Sequence, residues 1–249
     1  MRVCTGMEMI NVDWHIHTTL SPCGDLSMDP LTVLQKAHQQ GLRVIGITDH
    51  NSTRQGRLMK SEFSDNHLMI LVGAEVTTRE EIHCLAFFDD LVALDEFQIY
   101  LDRHLPAIDN NPVFFGDQVV VDASGNIVFE EKRLLISALD QSLQQVASFV
   151  AERGGIFIPA HINRPSYSLL SQLGIIPDKL SADALEWVPG YKAGPEYSDI
   201  SGMSSFPIVF SSDAHRPDEI GSKYTSMEID ELTFRGVKQG LTGKLTLAS

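Results

Sequence analysis

The chain carries only three cysteines in 249 residues (Cys4, Cys23 and Cys84), and no two are spaced as a Cys-x-x-Cys pair. So odd and sparse a set argues against a disulfide framework and fits a reducing cytoplasm. Basic residues are also scarce: 19 Lys and Arg stand against 33 Asp and Glu, a formal net charge of −14. A surface that acidic repels polyanions, so anionic membranes and nucleic acid are disfavoured as partners. A small anionic substrate is still allowed, because bound divalent cations reverse the potential locally. No apolar run approaches ~18 residues, and the stretch from Met1 to Gly6 does not read as a leader, so neither a membrane span nor secretion is expected.

What the chain does have is alternation. Short apolar runs at 10–16, 42–48, 68–76, 82–88, 155–161, 184–188, 206–211 and 223–229 read as strands. Met28–Gln40 reads as a helix, with Ser27 or Asp29 as cap, Pro30 in its first turn and Gly41 at its end. Ala138–Arg153 reads as another, with Leu139, Leu143, Val146, Phe149 and Val150 on one face. This pattern predicts an α/β fold with a mostly parallel sheet, and the number of units favours a barrel over an open sheet. Residues 90–136 break the rhythm and read as an insertion after the fourth strand. Within it, Gln118–Phe129 forms two β runs around Asp122-Ala123-Ser124-Gly125-Asn126, a hairpin that is either a lid or a decoration. No linker divides residues 1–249, so a single domain is expected.

Several of the apolar runs end abruptly in ligand-type side chains. In Asp13-Trp14-His15-Ile16-His17, residues two apart on a strand point the same way, so His15 and His17 can grip one ion with Asp13 behind to orient a ring. The plainer reading is a pair of surface histidines. In Thr48-Asp49-His50-Asn51, Asp49 and His50 either pair with each other or one of them binds metal; Asn51 and Ser52 can also cap the next helix. Glu75 is either a solvated carboxylate or a bridge between ions. His83, His161, Asp213 and His215 repeat the pattern, each ambiguous alone. Arg164 and Arg216 precede prolines near these clusters and suit phosphate binding, or are ordinary loop arginines. His38, His67 and His104 read as surface groups and Cys84 as core. Nitrogen and oxygen ligands at the ends of unrelated strands together describe a multinuclear metal site for hydrolysis.

In order and spacing, His15-x-His17, Thr48-Asp49-His50, Glu75, His83, His161 and Asp213-x-His215 resemble the motifs of the PHP (polymerase and histidinol phosphatase) family of metal-dependent phosphoesterases, over about Asn11 to Tyr224. The resemblance implies a distorted (β/α)7 barrel holding two or three divalent ions (zinc, iron or manganese). It would assign His15, His17, Glu75 and Asp213 to one ion, His83 and His161 with a bridging Glu75 to a second, and His50 and His215 to a third. In the loop Ser21-Pro22-Cys23-Gly24-Asp25 either Cys23 or Asp25 would add a ligand, a thiolate favouring zinc or iron. The expected activity is hydrolysis of a small phosphomonoester (a sugar, amino-alcohol or nucleotide phosphate). Arg164 and Arg216 would offset phosphoryl charge, and His215 or Asp49 would be candidate proton donors. Because relatives accompany DNA polymerases, a 3′–5′ exonuclease is the alternative. A metal-binding regulatory module without turnover is the non-enzymatic one.

Overall fold

The computed structural model describes residues 6–190 and 200–248. The predicted apolar runs form β1 (Glu8–Ile16), β2 (Val44–Ile47), β3 (Met69–Thr77), β4 (His83–Phe88), β7 (Ile156–Pro159), β8 (Leu185–Glu186), β9 (Ile208–Val209) and β10 (Tyr224–Ile229). Further strands are β5 (Val119–Val121), β6 (Ile127–Glu130) and β11 (Leu245–Ala248). The helices are α1 (Pro30–Gln39), α2 (Arg54–Glu62), α3 (Leu91–His104), α4 (Pro112–Phe115), α5 (Leu143–Glu152), α6 (Leu169–Leu173) and α7 (Phe234–Gly240). None is long and apolar enough to cross a membrane.

Caps set the helix ends. Asp29 accepts the Leu31 and Thr32 N–H groups and fixes the start of α1. Helix α5 starts later than the apolar periodicity predicts because Ser142 and Gln145 form a capping box there, while Leu139 N–H is bonded to Thr77.

The main sheet is a curled half-barrel in the order β11-β10-β1-β2-β3-β4-β7. It is mixed rather than mostly parallel. Only β1–β2 and β2–β3 run parallel, whereas β10–β11, β1–β10, β3–β4 and β4–β7 are antiparallel. The reason at β3–β4 is the connection, Thr78 to Ile82, which is far too short for a crossover helix. Backbone bonds extend the curl. Asp183 N–H reaches Phe157 and Ile162 N–H reaches Glu186, β8 pairs with β9, and Ala214 exchanges bonds with His15 and His17 of the β1 end. The segment 90–136 is not one inserted unit. Helix α3 buries Leu94, Phe97 and Leu101 against the sheet as a covering element, and β5 pairs with β6 beyond it.

Period-2 alternation separates two apolar layers. Ile10, Val12 and Trp14 of β1, Val44, Leu71, Leu85, Phe87, Ile156 and Ile158 form one, around the Trp14–Phe87 ring pair. Ile45, Ile47, Val72, Ala74, Val76, Cys84, Ala86 and Phe88 form the other, under the helices. Gly46 and Gly73 belong to the first face by phase, and both must be glycine. A Cβ on Gly46 would lie 2.2 Å from the Trp14 carbonyl oxygen, and one on Gly73 would lie 2.1 Å from that of Ala86.

Candidate metal centre

The Trp14 face continues, strand by strand, into histidines and carboxylates. On β3 the phase Leu71, Gly73, Glu75 delivers the carboxylate; on β4, Phe87, Leu85, His83 delivers an imidazole. On β2, Val44 and Gly46 lead through Thr48 to His50. β1 reaches the same face by a different device. Its register against β2 slips between Asp13 and Ile16, a bulge that switches the phase from Trp14 to His15 and His17 and sends Ile16 to the helix side. His161 and Asp213 follow their strands in left-handed backbone (φ 30° and 52°), as does Asn51 (φ 45°). For non-glycine residues this costs about 1–3 kcal/mol each and concentrates at functional sites.

Glu75 sits at the centre, fully buried. One carboxylate oxygen lies 2.8 Å from His83 Nδ1, 3.1 Å from His161 Nε2 and 3.4 Å from His15 Nε2. The other lies 3.1 Å from His50 Nδ1 and 3.3 Å from His17 Nε2. Asp213 Oδ1 is 3.2 Å from both His15 Nε2 and His17 Nε2, and the His215 ring stacks on His17 at 4.1 Å. Ligand atoms lie within 4.8 Å of one another in three groups: His15, His17 and Asp213; His50, Glu75 and His83; and His17, Cys23, His50 and His215.

The outer hydrogen bonds decide the tautomers. His15 Nδ1 faces the Glu186 carboxylate at 3.2 Å, an acceptor only, so Nδ1 carries the hydrogen. Ser21 Oγ donates to Asp49 at 2.7 Å and must accept from His17 Nδ1 at 2.8 Å. Without a proton between them, both rings would turn Nε2 lone pairs toward each other, 3.1 Å apart and beside two carboxylates. His50 Nδ1, His161 Nδ1 and Asp213 Oδ1 are buried with no hydrogen-bond partner among the described residues. Acceptors facing acceptors in a dry pocket are satisfied by a cation. The N/O donor set, with Cys23 at its edge, fits zinc, iron or manganese.

The electrostatics agree. Burial opposes the charge on Glu75, but His83, His15 and His50 hold it well below the usual carboxylate range. Asp213 behaves alike, with His15 as its main counter-charge against burial. Burial likewise opposes charge on His17, yet the adjacent Asp213 and Glu75 carboxylates lift its pKa to about 9, so a proton occupies the position a cation would take. Burial keeps His50 and His161 below the normal range and, with the neighbouring His17 charge, lowers His215 to about 4.

Four expected roles change. Asp13, below the bulge, orients no ring; it accepts from Ser212 (3.0 Å from N–H, 2.6 Å from Oγ) and from Gly221 N–H, pinning the loop that carries Asp213 and His215. Asp49, buried, accepts from the Thr18 N–H and hydroxyl and from Ser21, and so acts on His17 through Ser21. His215 Nδ1 must donate to the Asp213 carbonyl at 2.9 Å, which leaves Nε2 a lone pair suited to a ligand rather than to a proton donor. The exposed Asp25 side chain accepts from Ser27 and falls in none of the three ligand groups, whereas Cys23 falls in one. Arg164 Nη1 reaches Asp213 at 2.6 Å; Arg216 is exposed, with its charge acting on Asp25. Glu186 was missed, although a carboxylate inside the predicted strand 184–188 signals a buried partner; it also accepts His161 N–H at 2.7 Å.

A family model described as PHP-associated matches residues 203–241. The uncharacterized Bacillus subtilis protein YqxK is 24% identical over 96% of this chain and 63% of its own length. The lesion-specific endonuclease Q of Pyrococcus furiosus shares the fold (TM-score 0.71, 20% identity, 96% of this chain and 58% of that one). So does endonuclease Q solved with a 27-mer duplex bearing an abasic lesion at its active site (TM-score 0.68, 20% identity, 96% and 58%). A candidate metal-dependent phosphoesterase from Bifidobacterium adolescentis matches at TM-score 0.57 and 18% identity, over 83% of this chain and 88% of that one. The chain thus spans about three fifths of the first relatives it matches. These likenesses overturn the expectation that nucleic acid is disfavoured, because a fold that covers nearly all of this chain carries a DNA substrate in endonuclease Q. A summed charge of −14 averages over the whole surface and says little about the potential at one site. The PHP-associated match and the shared fold together bear out the resemblance to the PHP metal-dependent phosphoesterases.

Proposed function

We propose that this chain is a metal-dependent phosphoesterase that cleaves phosphodiester links in nucleic acid at a site of two or three divalent cations. The observation that carries the reading is Glu75, one buried carboxylate within 3.4 Å of ring nitrogens on five histidines. His15, His17 and Asp213, then His83 and His161, then His50, His215 and Cys23 would hold the ions, with Glu75 between them. Bound there, divalent cations supply Lewis acidity at a phosphoryl oxygen and bring the ionisation of water toward neutral pH.

The chain's own groups do the rest. Glu186 holds the His15 ring and the His161 backbone; Ser21 and Asp49 hold His17; Asp13 holds the 212–221 loop. Arg164, about a third exposed and paired with Asp213, would offset phosphoryl charge. The same reading takes β1, β2, β3, β4, β7, β8 and β9 as staves of a (β/α)7-type barrel and the part of 90–136 that follows α3 as its lid. Phe114, 81% exposed, sits on that segment, and Gly116 packs against Pro22 next to Cys23. An exposed aromatic on a segment that touches the Cys23 loop would suit bases better than a sugar phosphate.

A small phosphomonoester is the second reading, since the chain covers 88% of the Bifidobacterium phosphoesterase but only 58% of endonuclease Q. Assaying metal-reconstituted protein on single-stranded, duplex and lesion-bearing oligonucleotides beside a phosphomonoester panel separates them. Oligonucleotide cleavage is expected. Phosphate release from monoesters with intact oligonucleotides would transfer the assignment to the second reading, and bound metal with no turnover on either would make the chain a regulatory module.

A further inference from the structure

Tyr167 stands beside the cluster without belonging to it. Its ring stacks on His83, centroids 4.9 Å apart and planes 22° from parallel, and 47% of the residue is exposed. Its backbone lies in the left-handed region at φ 53°, where a bulky residue rarely sits. Two contacts hold it there. The Tyr167 carbonyl accepts His83 N–H at 3.0 Å, and the next residue, Ser168, donates its hydroxyl to the Arg164 carbonyl at 2.6 Å while capping α6. The loop from His161 to Ser168 therefore presents a metal-ligand candidate, a phosphate-binding arginine and an aromatic ring within a few residues.

A Tyr used only to fill space would not need a strained backbone and an exposed ring. Phosphate seated at the cations and Arg164 would leave the rest of a nucleotide beside that ring. Stacking there is sequence-tolerant, because every base has a π-face. We infer that Tyr167 is a specificity-determining residue, a platform on which the base next to the bound phosphate stacks. This rests on the nucleic-acid reading above and adds to it which part of the nucleotide is recognised, and by what.

Adenosine 5′-monophosphate and ribose 5-phosphate differ only in the base, so titrating each into the metal-loaded full chain isolates the stack. The expected result is a preference for the nucleotide of about 5–150-fold, kept in Tyr167→Phe and lost in Tyr167→Ala with metal content unchanged. Equal affinities in the unmutated protein, or a preference that survives Tyr167→Ala, would overturn the inference. A fall in metal content in Tyr167→Ala would also overturn it, making the ring a buttress for His83. If the preference holds but no oligonucleotide is cut, the platform stands and the nuclease reading fails.

Discussion

The two ends of one sheet face obey different rules. At one end of the face, Val12, Trp14, Leu71, Leu85 and Phe87 fill the space by contact, and even glycine positions are dictated by the fit. At the other end of the same face, His15 and His17 turn Nε2 toward each other beside Glu75, and His83 closes on the same carboxylate, an arrangement suited to added positive charge. The lower half is complete as a polypeptide; the upper half is built to be completed by ions. That half therefore needs scaffolding the lower one does without: Glu186, Ser21, Asp49 and Asp13 all point their polar atoms at something that holds a ligand or a ligand-bearing loop.

The comparison can be broken from either half. The largest effect is expected of Glu75→Gln, which should lose more than one equivalent of metal and reduce turnover by at least the ~10²–10³-fold typical of deleting one charge-stabilising group; elemental analysis and kinetics on the same preparation check it. Phe87→Ala should cost about 3–5 kcal/mol in denaturant unfolding, yet keep its metal stoichiometry while folded. Loss of metal from a folded Phe87→Ala would mean that the two halves are not separable. Glu186→Gln keeps the shape and an oxygen that can accept from both the His15 ring and His161 N–H, but loses the charge that fixes the His15 Nδ1–H. Competition with a chelator should show metal affinity about 10–100-fold weaker, with the unfolding midpoint of the metal-free protein little changed. Smallest of all, Asp25→Asn should leave the number of bound ions as it was; a drop would return that carboxylate to the site.

Much of the site was legible because metal ligands are chemically conspicuous on apolar strands. His15, His17, His50, Glu75, His83, His161, Asp213 and His215 stand out by type and place, and the structure brings all of them together. The supporting carboxylates were less legible, because their jobs depend on phase. A bulge of one residue in β1 decides that His15, not Asp13, faces the cluster, and nothing in Asp-x-His-x-His announces it. Strand direction was hidden for a similar reason. Apolar runs mark strands, but only the five-residue link before His83 betrays the antiparallel β3–β4 pair. The partner class was misread because net charge is a property of the whole surface, whereas substrate binding is set locally.

Anomalous diffraction from crystals of the metal-reconstituted protein tests the central claim most directly. It should reveal at least two peaks within ~2.0–2.3 Å of ligand atoms, flanking the Glu75 carboxylate and ringed by His15, His17, His83 and His161. Crystals grown with zinc or manganese that show no peak within reach of Glu75 would contradict it.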